Sequence, residues 1–172
     1  MKLSFFVYLI LFVAGCYVSE LLVDLHIQAQ LGGPDSGLCA AGEGFSCVDV
    51  ANSSFSNIFG IPIASIGLAF YLAGIILVCI ARFLPELIDG LQDVFLVGGL
   101  LATVYSVFLG IASTVFVGKI CPLCFALYGI NIALLVTAWV SHEDEGKAVF
   151  KRAHRVVLLP GFWAAAVLLA VA

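Results

Sequence analysis

The residues best suited to chemistry in this 172-residue chain are its cysteines, six in all. Two of them stand in Lys119-Ile120-Cys121-Pro122-Leu123-Cys124, and proline is favoured at the first position of a helix. That spacing makes Cys121 the cap and places Cys124 in the first turn. There the unpaired backbone N–H groups and the positive end of the helix dipole favour a thiolate, and Lys119 adds to the effect. Tyr128 and Asn131 follow at intervals of four and three, so Cys121, Cys124, Tyr128 and Asn131 line one stripe of the predicted helix.

A second pair, Cys39 and Cys47, lies among Gly32, Gly33, Gly37, Gly42 and Gly44, a flexible and exposed setting suited to thiols that visit two partners. Cysteines grouped in this way form static disulfides, exchange them, or bind metal. A zinc site of Cys39, Cys47, Cys121 and Cys124 is disfavoured, because structural sites prefer about two to four residues between paired ligands. A disulfide-stapled membrane protein without redox activity is the other alternative. Phe55, Ile58 and Phe59 recur at helical spacing among serines, which predicts a short amphipathic helix lying on the bundle as a lid. Cys16 and Cys79 fall inside apolar runs and read as buried packing residues.

The elements that must hold these thiols follow from composition. The chain is 63% hydrophobic and 10% charged, with a net charge of −4; soluble domains are about 45–50% apolar and about 25% charged. So few charges cannot cover a water-soluble globule, and no basic footprint exists for nucleic acid. Five apolar runs, near residues 3–25, 61–83, 94–118, 122–140 and 156–172, approach the roughly twenty residues that cross a bilayer as a helix. Gly74, Gly98, Gly99, Gly110 and Ala112 allow close helix approach. The first run continues past Cys16, which predicts an uncleaved helix rather than a lipoprotein-type signal. Residues 142–155 form a mixed charge run, expected as a solvated connector.

With a cytoplasmic N-terminus, Lys2, Arg82, Lys147, Lys151, Arg152 and Arg155 fall inside and only Lys119 falls outside. Cys39, Cys47, Cys121 and Cys124 then share the outer face. The expected architecture is an all-α integral membrane domain over residues 1–172. It comprises a four-helix bundle, a fifth transmembrane helix and an outer loop with a short amphipathic helix.

Several positions fall in register with a known family. Cys39 and Cys47 are followed by Ser53, then Phe59-Gly60 with Pro62 opening the second helix, then Cys121-Pro122-Leu123-Cys124 and Tyr128. From about His26 to Asn131 the sequence resembles the vitamin K epoxide reductases, and more closely their bacterial homologues that make disulfides. The resemblance implies a four-helix bundle around a quinone (ubiquinone, menaquinone or phylloquinone) in the inner membrane, with the CxxC at its outer end. It implies Cys39 and Cys47 as a shuttle pair, Cys121 as the cysteine that exchanges with them, and Cys124 as the thiolate beside the quinone. Ser53, Phe59 and Tyr128 would surround the quinone. The partner implied is a thioredoxin-fold (DsbA-like) protein, in trans or fused after Ala172 as in many bacterial members. The second helix lacks the asparagine that the vertebrate enzymes use, offering only Ser65 and Tyr71, so quinone reduction is expected rather than epoxide reduction. No GxGxxG fingerprint or haem ligand set offers another electron acceptor.

Overall fold

A computed structural model of the chain describes residues 2–35, 37–40, 42, 44–84 and 88–141. In hydrocarbon each segment must close its own backbone hydrogen bonds, and the apolar runs do so as helices. The order is α1 (Lys2–Gln30), a loop carrying the short α2 (Cys47–Ala51), then α3 (Ile63–Phe83), α4 (Ile88–Ala112) and α5 (Pro122–Ser141). Among the described residues four stretches are long and apolar enough to span a membrane: Phe5–Gln30, Ile63–Phe83, Leu91–Val117 and Pro122–Ser141. The protein is therefore an all-α, multi-pass membrane protein. The expected connector 142–155 and fifth span 156–172 lie outside the described residues.

The two faces of α1 explain why it is hydrophobic all round. Phe6, Ile10, Val13, Tyr17 and Leu21 are exposed on one stripe, whereas Tyr8, Phe12, Ser19, Leu22, His26 and Ala29 are buried on the other. The outer stripe is apolar because its solvent is lipid. His26 and Ala29 keep that buried face going, which carries α1 beyond the expected end near residue 25.

Glycines set the helix spacing. Gly15 of α1 lies against the ring of Tyr71 and Gly74 of α3 against that of Phe12, and a Cβ at either position would overlap the ring. A Cβ on Gly99 would stand 3.2 Å from the Leu135 Cα, so α4 and α5 meet backbone to backbone. As a result α1 packs along α3 and α5, and α4 along α5, while α3 and α4 touch little. Tyr8, Phe12, Tyr71, Val78, Leu96, Leu134 and Ala138 form the core of the bundle. Cys16 is half-buried, but Cys79 is exposed on the outside of α3, and neither is in a disulfide. The expectation of two buried packing cysteines is thus corrected for Cys79: the face of α3 that buries Tyr71, Gly74 and Val78 turns residue 79 outward.

The loop before α3 also differs from expectation. After α2 the chain makes a single 3-10 turn (Ser54–Ser56), then a hairpin of β1 (Asn57–Ile58) and β2 (Ile61–Pro62), with Asn57 opposite Pro62 and Ile58 opposite Ile61. Phe59 (φ 51°) and Gly60 (φ 78°) form its two-residue turn, both in the left-handed region that a tight hairpin demands. Helical character therefore sits at 47–51 and 54–56, not across Phe55, Ile58 and Phe59. Gly60 makes the reversal sterically cheap, and Pro62 lacks the N–H that a continuing helix would need. This loop covers the end of the bundle where α1 and α4 finish and α3 and α5 begin.

Candidate active site

At the mouth of α5 the geometry follows from local chemistry. Pro122 opens the helix, the Cys121 carbonyl accepts the Phe125 N–H at 3.1 Å, and the Cys121 Sγ accepts the Cys124 N–H at 3.3 Å. Cys121 is thus the cap, and its disulfide to Cys124 closes across the first turn, with the two Cα atoms 5.3 Å apart. A second disulfide, Cys39–Cys47, ties the one-turn 3-10 segment Gly37–Ala40 to the first residue of α2.

The two pairs are brought together by a parallel β-bridge between Phe45 and Ile120. Its hydrogen bonds run from Ile120 N–H to the Gly44 carbonyl (3.0 Å) and from Ser46 N–H to the Ile120 carbonyl (3.2 Å). Cys39, Cys47 and Cys121 consequently pack with Leu22 and are only 2%, 1% and 1% exposed. The glycine-rich setting had pointed to exposed loop cysteines; the structure buries them, because the bridge docks the loop against the start of α5.

Asp35 anchors the same loop. One carboxylate oxygen accepts the Ser46 hydroxyl at 2.6 Å, and the other accepts the N–H groups of Cys47 (2.9 Å) and Val48 (3.0 Å). Ser46 in turn caps α2 by accepting the Asp49 N–H at 2.9 Å. Partial burial pushes the Asp35 carboxyl up, but the hydrogen bonds from Ser46, Val48 and Cys47 and the charge of Lys119 prevail, holding it below the usual carboxylate range. The Asp35 carboxylate and the Cys39 and Cys47 sulfurs gather within 4.8 Å. Both sulfurs are spent in one disulfide and both oxygens already accept hydrogen bonds, so the cluster serves as a loop anchor.

A group whose pKa is lowered by docking stabilises the docked state above its undocked pKa, and that stabilisation disappears as pH falls through the docked value. Reduction of Cys39–Cys47 by a water-soluble phosphine is accordingly expected to accelerate as pH drops below about 4. Asp35→Ala is expected to accelerate it about tenfold at pH 7 and to remove that acid dependence, read by mass spectrometry of alkylated thiols.

Beneath the cysteines lies a cavity of about 440 Å³. Cys47, Cys121 and Cys124 line its end beneath the loop, Ser53 and Phe55 line it from the loop, and α3 and α4 line it where they part. Ser53 donates its hydroxyl to the Val50 carbonyl at 2.7 Å. Tyr128 is half-buried, seated against Gly110 of α4. The expected stripe Cys121, Cys124, Tyr128 and Asn131 lines the cavity in full. Phe59 is not brought to it: at the tip of the hairpin it is 75% exposed and outside the lining, since the tight turn takes it away from the bundle.

Ser106 and Tyr105 also line the cavity and were not singled out from sequence. Tyr71 donates its hydroxyl to Asn131 Oδ1 at 2.7 Å, and Asn131 Nδ2 donates to Ser106 Oγ at 2.9 Å, linking α3, α5 and α4. His26 lines the space as well. A usable signal existed for Ser106, which shares with Ala102, Leu109 and Ser113 one helical stripe in an otherwise apolar run.

Among curated proteins no match to the chain is found. Residues 6–139, however, match the vitamin K epoxide reductase family. The matched stretch contains both disulfides, the docked loop and every cavity residue named above. By that match, which covers most of the chain, the protein belongs to the vitamin K epoxide reductase family.

Proposed function

We propose that the protein is a quinone-dependent thiol oxidoreductase that re-oxidises a thioredoxin-fold partner outside the cytoplasm and so drives disulfide formation. Family membership implies a membrane thiol oxidoreductase. The observation that carries the finer reading is the cavity: it begins at Cys124 and continues between membrane-spanning helices, apolar except for a few polar side chains. Such a space suits a lipid-soluble ring with two or more polar substituents. A quinone bound there supplies the acceptor, taking up two electrons and two protons.

The remaining chemistry belongs to the cysteines. A partner thiolate attacks the Cys39–Cys47 disulfide, and the second partner thiol resolves the mixed disulfide, leaving two loop thiols. A loop thiolate then attacks Cys121, with which Cys39 and Cys47 are already buried, and Cys124 leaves as a thiolate. The leaving group is stabilised by the N–H groups and dipole of the first turn of α5. The second loop thiol restores Cys39–Cys47. Re-formation of Cys121–Cys124 sends the electron pair onward, so each turnover makes one partner disulfide. Tyr128, and Ser53 once its hydroxyl turns from the Val50 carbonyl toward the ring, are the hydroxyls proposed to hold the ring oxygens. Phe59, at the exposed hairpin tip, is left out of this set. Of the polar residues of α3, Tyr71 lines the cavity and Ser65 does not, and the helix carries no asparagine, the ground for expecting quinone reduction rather than epoxide reduction.

The sequence assigns six of the seven Lys and Arg to segments on the side of the membrane opposite the site, which supports a cytoplasmic N-terminus and an outward-facing site in the inner membrane. Anaerobic mixing of purified protein with ubiquinone or menaquinone and a reduced thioredoxin-fold donor tests the proposal. One quinol per donor disulfide is expected from its absorbance, and donor oxidation without quinol would overturn it.

A further inference from the structure

Asn131 stands about midway along α5, 8% exposed and lining the cavity. A primary amide at this depth is costly unless satisfied, and residues of this kind in membrane spans mark sites or interhelical contacts. Its bonding is directional. Ser106 donates its only hydroxyl proton to the Ala102 carbonyl at 2.8 Å, so toward Asn131 it can only accept. That fixes the amide nitrogen on the Ser106 side (2.9 Å) and the amide oxygen on the Tyr71 side (2.7 Å). The Tyr71 ring is itself held against Gly15, where a Cβ would overlap it. One Nδ2–H therefore remains, with no further hydrogen bond to the described residues, on an amide clamped from both sides and bordering an apolar cavity.

We propose that this remaining N–H is the donor for the carbonyl oxygen of the bound quinone farther from Cys124, with Tyr71 and Ser106 as its positioning residues. The inference rests on the quinone reading above and adds a second contact point to it. Asn131 stands seven positions beyond Cys124 in the helix, about 10.5 Å along the axis. A six-membered ring with a carbonyl at each end, and a contact beyond each, fills that length. A clasp that only joined α3, α4 and α5 would need no unspent donor and no place on the cavity wall.

Quinone labelled with carbon-13 at one carbonyl or the other, bound to the purified protein, reports each C=O stretch separately by infrared difference spectroscopy. The carbonyl held by Asn131 is expected at lowered frequency in the wild type and back at its unbonded frequency in Asn131→Leu. Ser53→Ala is expected to leave that carbonyl low. Tyr71→Phe, which keeps the packing against Gly15, is expected to broaden the band and shift it part of the way back. In the dithiol assay, KM for a short-chain quinone is expected to rise about three- to tenfold in Asn131→Leu. A wild type in which no carbonyl is lowered, an unshifted band in Tyr71→Phe and Asn131→Leu, or the same carbonyl released by Ser53→Ala would each overturn the assignment. Absence of quinol formation by the wild type would instead overturn the quinone reading itself.

Discussion

Cys124→Ala is expected to abolish quinone reduction, by about a thousandfold or more, whichever thiol donor is supplied. Cys124 is the member of the CxxC that borders the cavity while remaining partly accessible, whereas Cys121 is 1% exposed and packed under the loop. Its thiolate would leave Cys121 in the helix's first turn, where backbone N–H groups stabilise it, and no other described cysteine combines that position with the cavity. Single-turnover quinol absorbance after anaerobic mixing reads the loss directly. The same variant should still exchange with the loop, because Cys121 keeps its neighbours Cys39 and Cys47, and a trapped mixed disulfide on non-reducing gels would report it. A Cys124→Ala protein that made quinol at the normal rate would show that the electron path runs elsewhere.

The second large effect separates the two disulfides. In Cys39→Ala, oxidation of the thioredoxin-fold donor should fall by about a hundredfold or more, while quinone reduction driven by a small dithiol should persist. The structure adds a sign to the second half. Cys39–Cys47 closes a loop with a sequence separation of 8. In the chain-entropy picture such a cross-link is worth about 2.5 kcal/mol, and losing it frees the segment that covers Cys121. A small dithiol should therefore reach Cys121–Cys124 at least as fast as in the wild type. Paired rate measurements with the two donors on one preparation test this. Equal loss with both donors would mean that the loop disulfide serves the fold rather than electron transfer.

The parts of this site that are local in the chain could be read from it. Pro122 between two cysteines announces a helix start, and Cys121 does cap it. Intervals of three and four put Cys124, Tyr128 and Asn131 on one stripe, and all three line the cavity. Four apolar runs became four spanning helices, because hydrocarbon leaves the backbone no alternative. Glycines at 74, 98, 99 and 110 are contact points as expected, although Gly15, which seats Tyr71, went unremarked. Phe59 misled because its spacing from Phe55 matched a helix, while the backbone preference of Gly60 and Pro62 favoured a hairpin.

The sequence by itself determined the solvent of this protein, the helices that solvent requires, and the placing of a redox-suited cysteine pair at one helix mouth. Those conclusions rest on composition and on intervals shorter than two helical turns. Only the tertiary structure decided that Cys39 and Cys47 are buried against Cys121, since that depends on the bridge from Phe45 to Ile120, distant in sequence. It alone decided that Asp35 holds the loop, and that Tyr71, Asn131 and Ser106 join in one directed chain. Hydrogen bonds between separate helices depend on rotation and depth in the bundle. Those are set by ring-on-glycine and backbone contacts such as Tyr71 on Gly15 and Leu135 on Gly99, which no periodicity within a single segment records.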